Sequence, residues 1–307
     1  MWFWFAVIAL LCWSGSDLFS KIGCADSRDK YSHYKMVTAV GVIMGLHAAY
    51  EVFIGGTEIN GQIILKYLPV SALYIISMAI GYIGLRYIEL SVSSPICNSS
   101  GALVAIMTIG LALIHKEKIG MVPAQYIAVL LVVAGVIGLG FVESNEDEEL
   151  RAKRQEKANY KYSKSALAII LPLVYCLLDA LGTFADSKVL ETLDEDSANV
   201  AYELTFLACG IVAFIYVKFI KKQKYLPKKE APKYAGAVFE TAGQFAYIYA
   251  LADSEHVAMS APIISAYCVV SVLWGRIFLK EKLSWKHYTA IALAVVGIVI
   301  LGVFDEA

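Results

Sequence analysis

Residues 121–141 read MVPAQYIAVLLVVAGVIGLGF, and residues 286–304 read KHYTAIALAVVGIVILGVF. Each is an almost uncharged run of about 20 residues, the length a helix needs to cross a ~30 Å hydrocarbon layer. Shifted by 162, the two align. Tyr126, Ala128, Leu131, Val133, Gly135, Leu139 and Gly140 meet Tyr288, Ala290, Leu293, Val295, Gly297, Leu301 and Gly302. Seven identities over the seventeen positions 124–140 exceed what apolar composition gives by chance. These stretches therefore predict both a membrane-spanning helix and an internal repeat.

The same kind of run recurs along the chain. Ten are read: 2–20, 33–54, 67–88, 92–114, 121–141, 165–185, 198–220, 233–251, 256–279 and 286–304. They hold about two-thirds of the 307 residues. The composition agrees, at 59% hydrophobic, 17% charged and a mean hydropathy of +0.63. A soluble domain is about half apolar and about a quarter charged. No alternation of period two marks a β-barrel, so a helical bundle is expected. The first run lacks the basic start and the cleavage site of a signal peptide. A net charge of −1 argues against a nucleic-acid partner. The six cysteines show neither a disulfide framework nor metal-ligand spacing.

Earlier landmarks also repeat. At a shift of 167, Gly15, Ser20, Lys21, Tyr82, Ser93 and Pro95 meet Gly182, Ser187, Lys188, Tyr249, Ser260 and Pro262. Lys116-Glu117-Lys118 and Lys280-Glu281-Lys282 stand near the ends of the fourth and ninth runs. Five spans per half is an odd number, which sets the halves in opposite orientation across the bilayer. The expected fold is an all-α integral membrane protein of ten transmembrane helices, built as two inverted-topology five-helix repeats. Its parts are residues 1–142, a charged linker 143–164, and residues 165–307. Of the 26 basic residues, 22 fall on one side of the bilayer, which places that side and the linker in the cytoplasm.

These features resemble the EamA-like branch of the drug/metabolite transporter superfamily. The resemblance rests on Trp13 to Lys21 in the first span, on Pro95 and Pro262, and on Glu117 with Gly135 and Glu281 with Gly297. It covers nearly the whole chain apart from the linker. It implies a multi-pass plasma (inner) membrane protein that moves a small organic metabolite by alternating access, through a path lined by spans 1–4 and 6–9. Export is the commoner direction in the family. It implies no cofactor and no enzymatic activity. The expected partners are the small organic solute, the lipid bilayer and a coupling proton, with a homodimer allowed for. The alternatives are a multidrug or cation efflux protein of the same superfamily, or a non-transporting scaffold or regulatory protein.

Ionisable groups inside a span are costly and are therefore candidate sites. Glu240, Gln244 and Tyr247 share one face of the eighth span at i, i+4 and i+7. A carboxylate, an amide and an aromatic plane suit an amine- or amide-bearing solute, and Glu240 is a candidate proton carrier. The repeat sets Ser77 opposite Gln244. Further candidates are Asn98 after Pro95, Trp13, Asp17, Asp179 and Glu203. Asp17 is equally explained by an ion pair with Lys21 one turn on, and Asn98 by bonding to a carbonyl that Pro95 frees. Trp2, Trp4, Tyr67 and Trp285 read as belt residues at the membrane interface. His47 with Glu51 reads as an isolated pair. The stretch Lys218–Lys233 reads as an inside-facing basic loop able to touch anionic lipid.

Overall fold

The computed structural model describes residues 1–24, 29–87, 99–115, 120–144, 167–278 and 283–304. Among them no strand occurs, and the helices follow the apolar runs. They are α1 (Trp2–Cys24), α2 (Ser32–Tyr50), α3 (Gly61–Tyr87), α4 (Ser100–His115), α5 (Pro123–Ser144), α6 (Leu167–Leu190), α7 (Glu195–Ile215), α8 (Pro227–Ala252), α9 (Val257–Ser265), α10 (Tyr267–Phe278) and α11 (Trp285–Val303). Short π-helical turns, Glu51–Gly55 and Tyr216–Ile220, finish α2 and α7. Seven stretches are long and apolar enough to cross a membrane: α1, α2 with its π turn, residues 61–80 of α3, α5, α7 with its π turn, α9 with α10, and α11. The 16-residue α4 is apolar but shorter. Helices α6 and α8 have the length, and they carry the buried acids described below. Pro95, Asn98, Glu117, Glu281 and nearly all of the 143–164 linker lie outside the described residues.

Local chemistry sets the helix ends. Asn60 caps α3, its Oδ1 accepting from the N–H groups of Gln62 and Ile63 at 2.9 and 3.0 Å. Asp194 caps α7, accepting from Ser197 N–H at 2.9 Å. Pro227 occupies the first turn of α8, where its missing N–H costs nothing. The ninth apolar run is broken at Ala266, one turn after Pro262. There the Ala266 N–H donates to both the Pro262 and Ile263 carbonyls at 3.1 Å.

Helices pack in cross-chain pairs: α1 with α8, α2 with α7, α3 with α6, α4 with α9, and α5 with α11. In a bilayer, such pairs need small residues that let backbones approach. A methyl group on Gly41 of α2 would lie 2.8 Å from Gly210 Cα on α7. On Gly135 of α5 it would lie 2.6 Å from Ala294 N and 2.7 Å from Ala290 O. On Gly297 of α11 it would lie 2.6 Å from Ala128 O and 2.7 Å from the Val132 side chain.

Where α1, α2 and α8 converge, a charge network is buried. Lys35 Nζ lies 2.7 Å from Asp29 Oδ2 and 3.2 Å from Glu230 Oε1, and Lys233 Nζ lies 2.8 Å from Glu230 Oε2. Lys35, Glu230 and Lys233 are 6%, 4% and 2% exposed. Lys35 also donates to the Lys224 carbonyl at 3.1 Å. Tyr225 next to it bonds the Thr38 hydroxyl at 3.3 Å, and burial pushes its phenol above the usual range.

Two of the expected belt residues are inside the bundle. Trp2 is 3% exposed and stacks on His256 with ring centroids 5.0 Å apart. Tyr67 is fully buried because its hydroxyl serves an acid on α6. Trp4 and Trp285, by contrast, are exposed.

Candidate functional site

Glu240 is midway along α8, and Gln244 and Tyr247 follow on the same face. Helix α1 supplies the opposite wall. The Ser16 side chain hydrogen-bonds Glu240, and Asp17 is near enough to Glu240 for the two charges to act on each other. Trp13 lies across Gly243, whose missing side chain admits the indole: a methyl there would be 2.4 Å from the ring. The indole packs on Tyr247 with centroids 5.0 Å apart, and its edge meets Tyr267 of α10 at 6.1 Å.

From Tyr247 a polar line runs across the bundle. Its hydroxyl donates to Thr183 of α6 at 3.0 Å and is hydrogen-bonded to the Tyr74 hydroxyl of α3. Tyr74 reaches Asp186 Oδ2 at 3.4 Å, and Tyr67 donates to Asp186 Oδ1 at 2.8 Å. Asp186 is fully buried. Tyr202 of α7 stands edge-on to Tyr74 at 5.9 Å and closes the aromatic wall. Helices α3, α6 and α8 thus meet on one chain of polar groups, and α1 joins it through the Trp13 ring packed on Tyr247.

Two donors in this region are buried and unpaired: Gln244 Nε2 and Trp13 Nε1. A buried donor without a partner costs about 1–3 kcal/mol. Glu240 stands one turn before Gln244 on the same helix face, and the Trp13 indole packs on the Tyr247 ring. Together these groups offer what a polar solute needs after losing its water: acceptors for an ammonium and donors for a carbonyl or carboxylate.

Of the other sequence candidates, Asp179 is near enough to Tyr247 for its charge to act on that residue. It falls at the middle of α6, which runs on to Leu190, and its partner is the Ser100 side chain on α4. The Ser77 hydroxyl donates to the Tyr74 carbonyl at 2.9 Å. Glu203 faces His47 across α2 and α7 at 2.9 Å. His47 Nε2 lies 3.7 Å from Glu51, and Asn199 donates to Glu203 at 3.3 Å. The isolated pair expected at His47 is therefore part of a four-group link between the halves.

Sequence reading missed Asp186, Tyr67, Tyr74, Thr183 and Ser16. Ending the sixth span at 185 left Asp186 one residue outside it. A signal was present: Asp179 and Asp186, like Tyr67 and Tyr74, are seven residues apart and so share a helix face. Among the described residues, no group of three or more His, Cys, Asp and Glu is placed to hold a metal ion.

A solved crystal structure of a protein superposes on this chain with a TM-score of 0.64 and 12% sequence identity, covering 98% of this chain and 99% of its own. At that identity the likeness carries the fold alone. No curated protein matches the chain. A family model described as the EamA-like transporter family matches residues 166–303, the span from α6 through α11. Over that region, somewhat less than half of the chain, the sequence is similar to the EamA-like transporter family.

Proposed function

We propose that the protein is a secondary active transporter that moves a small organic solute bearing an amine across the plasma membrane. The family matched over residues 166–303 is one of transporters, which supports a non-enzymatic reading. The observation that carries the substrate class is the pair of unpaired buried donors, Gln244 Nε2 and Trp13 Nε1, taken with the Glu240 carboxylate one turn before Gln244 on the same helix face. A bound solute with an ammonium and a carbonyl or carboxylate satisfies all three groups at once.

The mechanism proposed is alternating access between two five-helix repeats of opposite orientation, residues 1–142 and 165–307, joined by the cytoplasmic linker 143–164. Helix pairing supports it. If each helix is exchanged for its counterpart in the other half, the pair α1–α8 becomes α6–α3. The pairs α2–α7, α4–α9 and α5–α11 return to themselves. The crossing of α5 and α11 behaves the same way: Gly135 meets Ala290 and Ala294, and Gly297 meets Ala128 and Val132, each offset by 162.

Glu240 is the proposed proton carrier, since it stands at mid-helix among the solute-facing groups. Asp186 and its tyrosines form the continuation of the path. The test uses proteoliposomes. A thermal-shift screen first identifies stabilising amines, because a ligand that binds the folded state raises its stability by mass action. Flux of that amine is then driven by a pH gradient. Saturable flux in the wild type, with gradient-driven accumulation lost in Glu240→Gln, is expected. Unchanged accumulation in Glu240→Gln removes the proton assignment, and absence of saturable flux for any stabilising amine removes the transporter reading in favour of a scaffold.

A further inference from the structure

The segment 216–229, YVKFIKKQKYLPKK, contains no acidic residue. Lys218, Lys221, Lys222, Lys224 and Lys228 are all exposed on it. The first acid beyond it, Glu230, is buried and already engaged by Lys35 and Lys233. The positive charge of this surface is therefore not neutralised from within its own segment.

The segment is also held in shape. Lys221 N–H donates to the Tyr216 carbonyl at 2.9 Å, and Gln223 N–H to the Val217 carbonyl at 3.0 Å. Lys222 takes a left-handed φ of 52°, which turns the chain sharply between them. The Lys224 carbonyl is fixed by Lys35, and the Tyr225 ring is clamped between Thr38, Lys35 and Phe214. A backbone fixed before binding loses little freedom when a ligand arrives. Phe219 and Ile220, on the last turn of a membrane-crossing helix, are 65% and 64% exposed, and Leu226 is 47% exposed. Apolar side chains thus flank the lysines at the level where acyl chains give way to headgroups.

We infer that residues 218–228 form a docking surface for the headgroups of anionic phospholipids in the adjoining leaflet. The lysines match the negative charge of the headgroup phosphodiester, while Phe219, Ile220 and Leu226 lie against the acyl chains of the same lipids. The surface is separate from the solute path, so its test does not depend on transport.

The full-length protein in neutral detergent is titrated with phosphatidylglycerol, phosphatidylcholine or inorganic phosphate, and its melting temperature is followed. Phosphatidylglycerol is expected to raise the melting temperature, phosphatidylcholine and phosphate to have little effect, and added salt to weaken the response. In Lys221→Gln/Lys222→Gln/Lys224→Gln, the phosphatidylglycerol needed for half the shift rises on the order of 100-fold, from the contribution of each surface lysine to anionic-lipid binding. Should that variant not fold, Lys218→Gln/Lys228→Gln reads the same surface with a rise of about 25-fold. Lys188→Gln, on α6 and outside the surface, is expected to respond as the wild type does. The inference is overturned if phosphate reproduces the shift, if phosphatidylcholine matches phosphatidylglycerol, or if the folded lysine variants titrate like the wild type.

Discussion

Replacing Glu230 with alanine removes the centre of the buried charge network that ties α2 to α8. Lys35 keeps Asp29 at 2.7 Å and the Lys224 carbonyl at 3.1 Å, so its loss is partial. Lys233 is 2% exposed, and its described carboxylate partner is Glu230, at 2.8 Å. Stripping the partner from a buried ion costs about 3–5 kcal/mol. Unfolding entropy is about 2 cal/mol/K per residue, so for 307 residues each kcal/mol is worth about 1.5 °C in Tm. The expected drop is thus about 4–8 °C by thermal unfolding in neutral detergent. The control is Glu191→Ala, which breaks the exposed pair Lys188–Glu191, whose side chains are 46% and 43% exposed. A surface pair contributes about 0–1 kcal/mol, so its Tm should move by no more than about 1–2 °C. Pairing Glu230→Met with Lys233→Met should recover part of the loss, because it leaves no bare charge behind. Equal shifts for Glu230→Ala and Glu191→Ala would refute the reasoning.

Other consequences can be measured in the same way. Tyr67→Phe removes the 2.8 Å donor to the buried Asp186 and should cost about 1–3 kcal/mol, read as a lower melting temperature. Trp13→Phe keeps an aromatic ring but loses the pyrrole part of the indole with its unpartnered N–H, so some ligand-free stability is lost with the packing and affinity for the proposed amine should fall; equal affinity would remove Trp13 from the site. Gly41→Ala forces a methyl against the Gly210 and Phe206 backbone and should destabilise by about 1–3 kcal/mol, whereas Gly61→Ala meets nothing within 4 Å and should be near neutral. A cysteine placed in 143–164 should resist impermeant maleimide added to intact cells; ready labelling would invert the orientation drawn from the basic residues.

Apolar run length made most of the helices legible, because hydrocarbon thickness fixes the number of residues in a span. The ends were less legible where polar residues remain helical. Helix α3 starts at Gly61, six residues before its apolar run, because Asn60 caps it. Helix α8 starts at Pro227 among lysines that hydropathy excludes. The break at Ala266 was hidden inside one continuous apolar run. At the site, Glu240, Gln244 and Tyr247 could be grouped because their spacing is local. The contact of Tyr67 with Asp186 spans 119 residues, and no local pattern encodes it.

The crossing of α5 and α11 bears on how the rest of the bundle moves. Gly135 and Gly297 put backbone against backbone, with no room for even one added methyl on either helix. Sliding one helix along the other by a residue would drive side chains into those two notches, so the pair behaves as a riveted joint. Close backbone approaches recur at Gly41 against Gly210 and at Gly101 against Ala261, but the other contacts among helices α1–α4 and α6–α10 include hydrogen bonds and ion pairs, which can be exchanged. Strain from solute passage should therefore collect in those contacts and leave the joint as a fixed post. Damage at the post would impair assembly of the bundle before it altered which solute is carried.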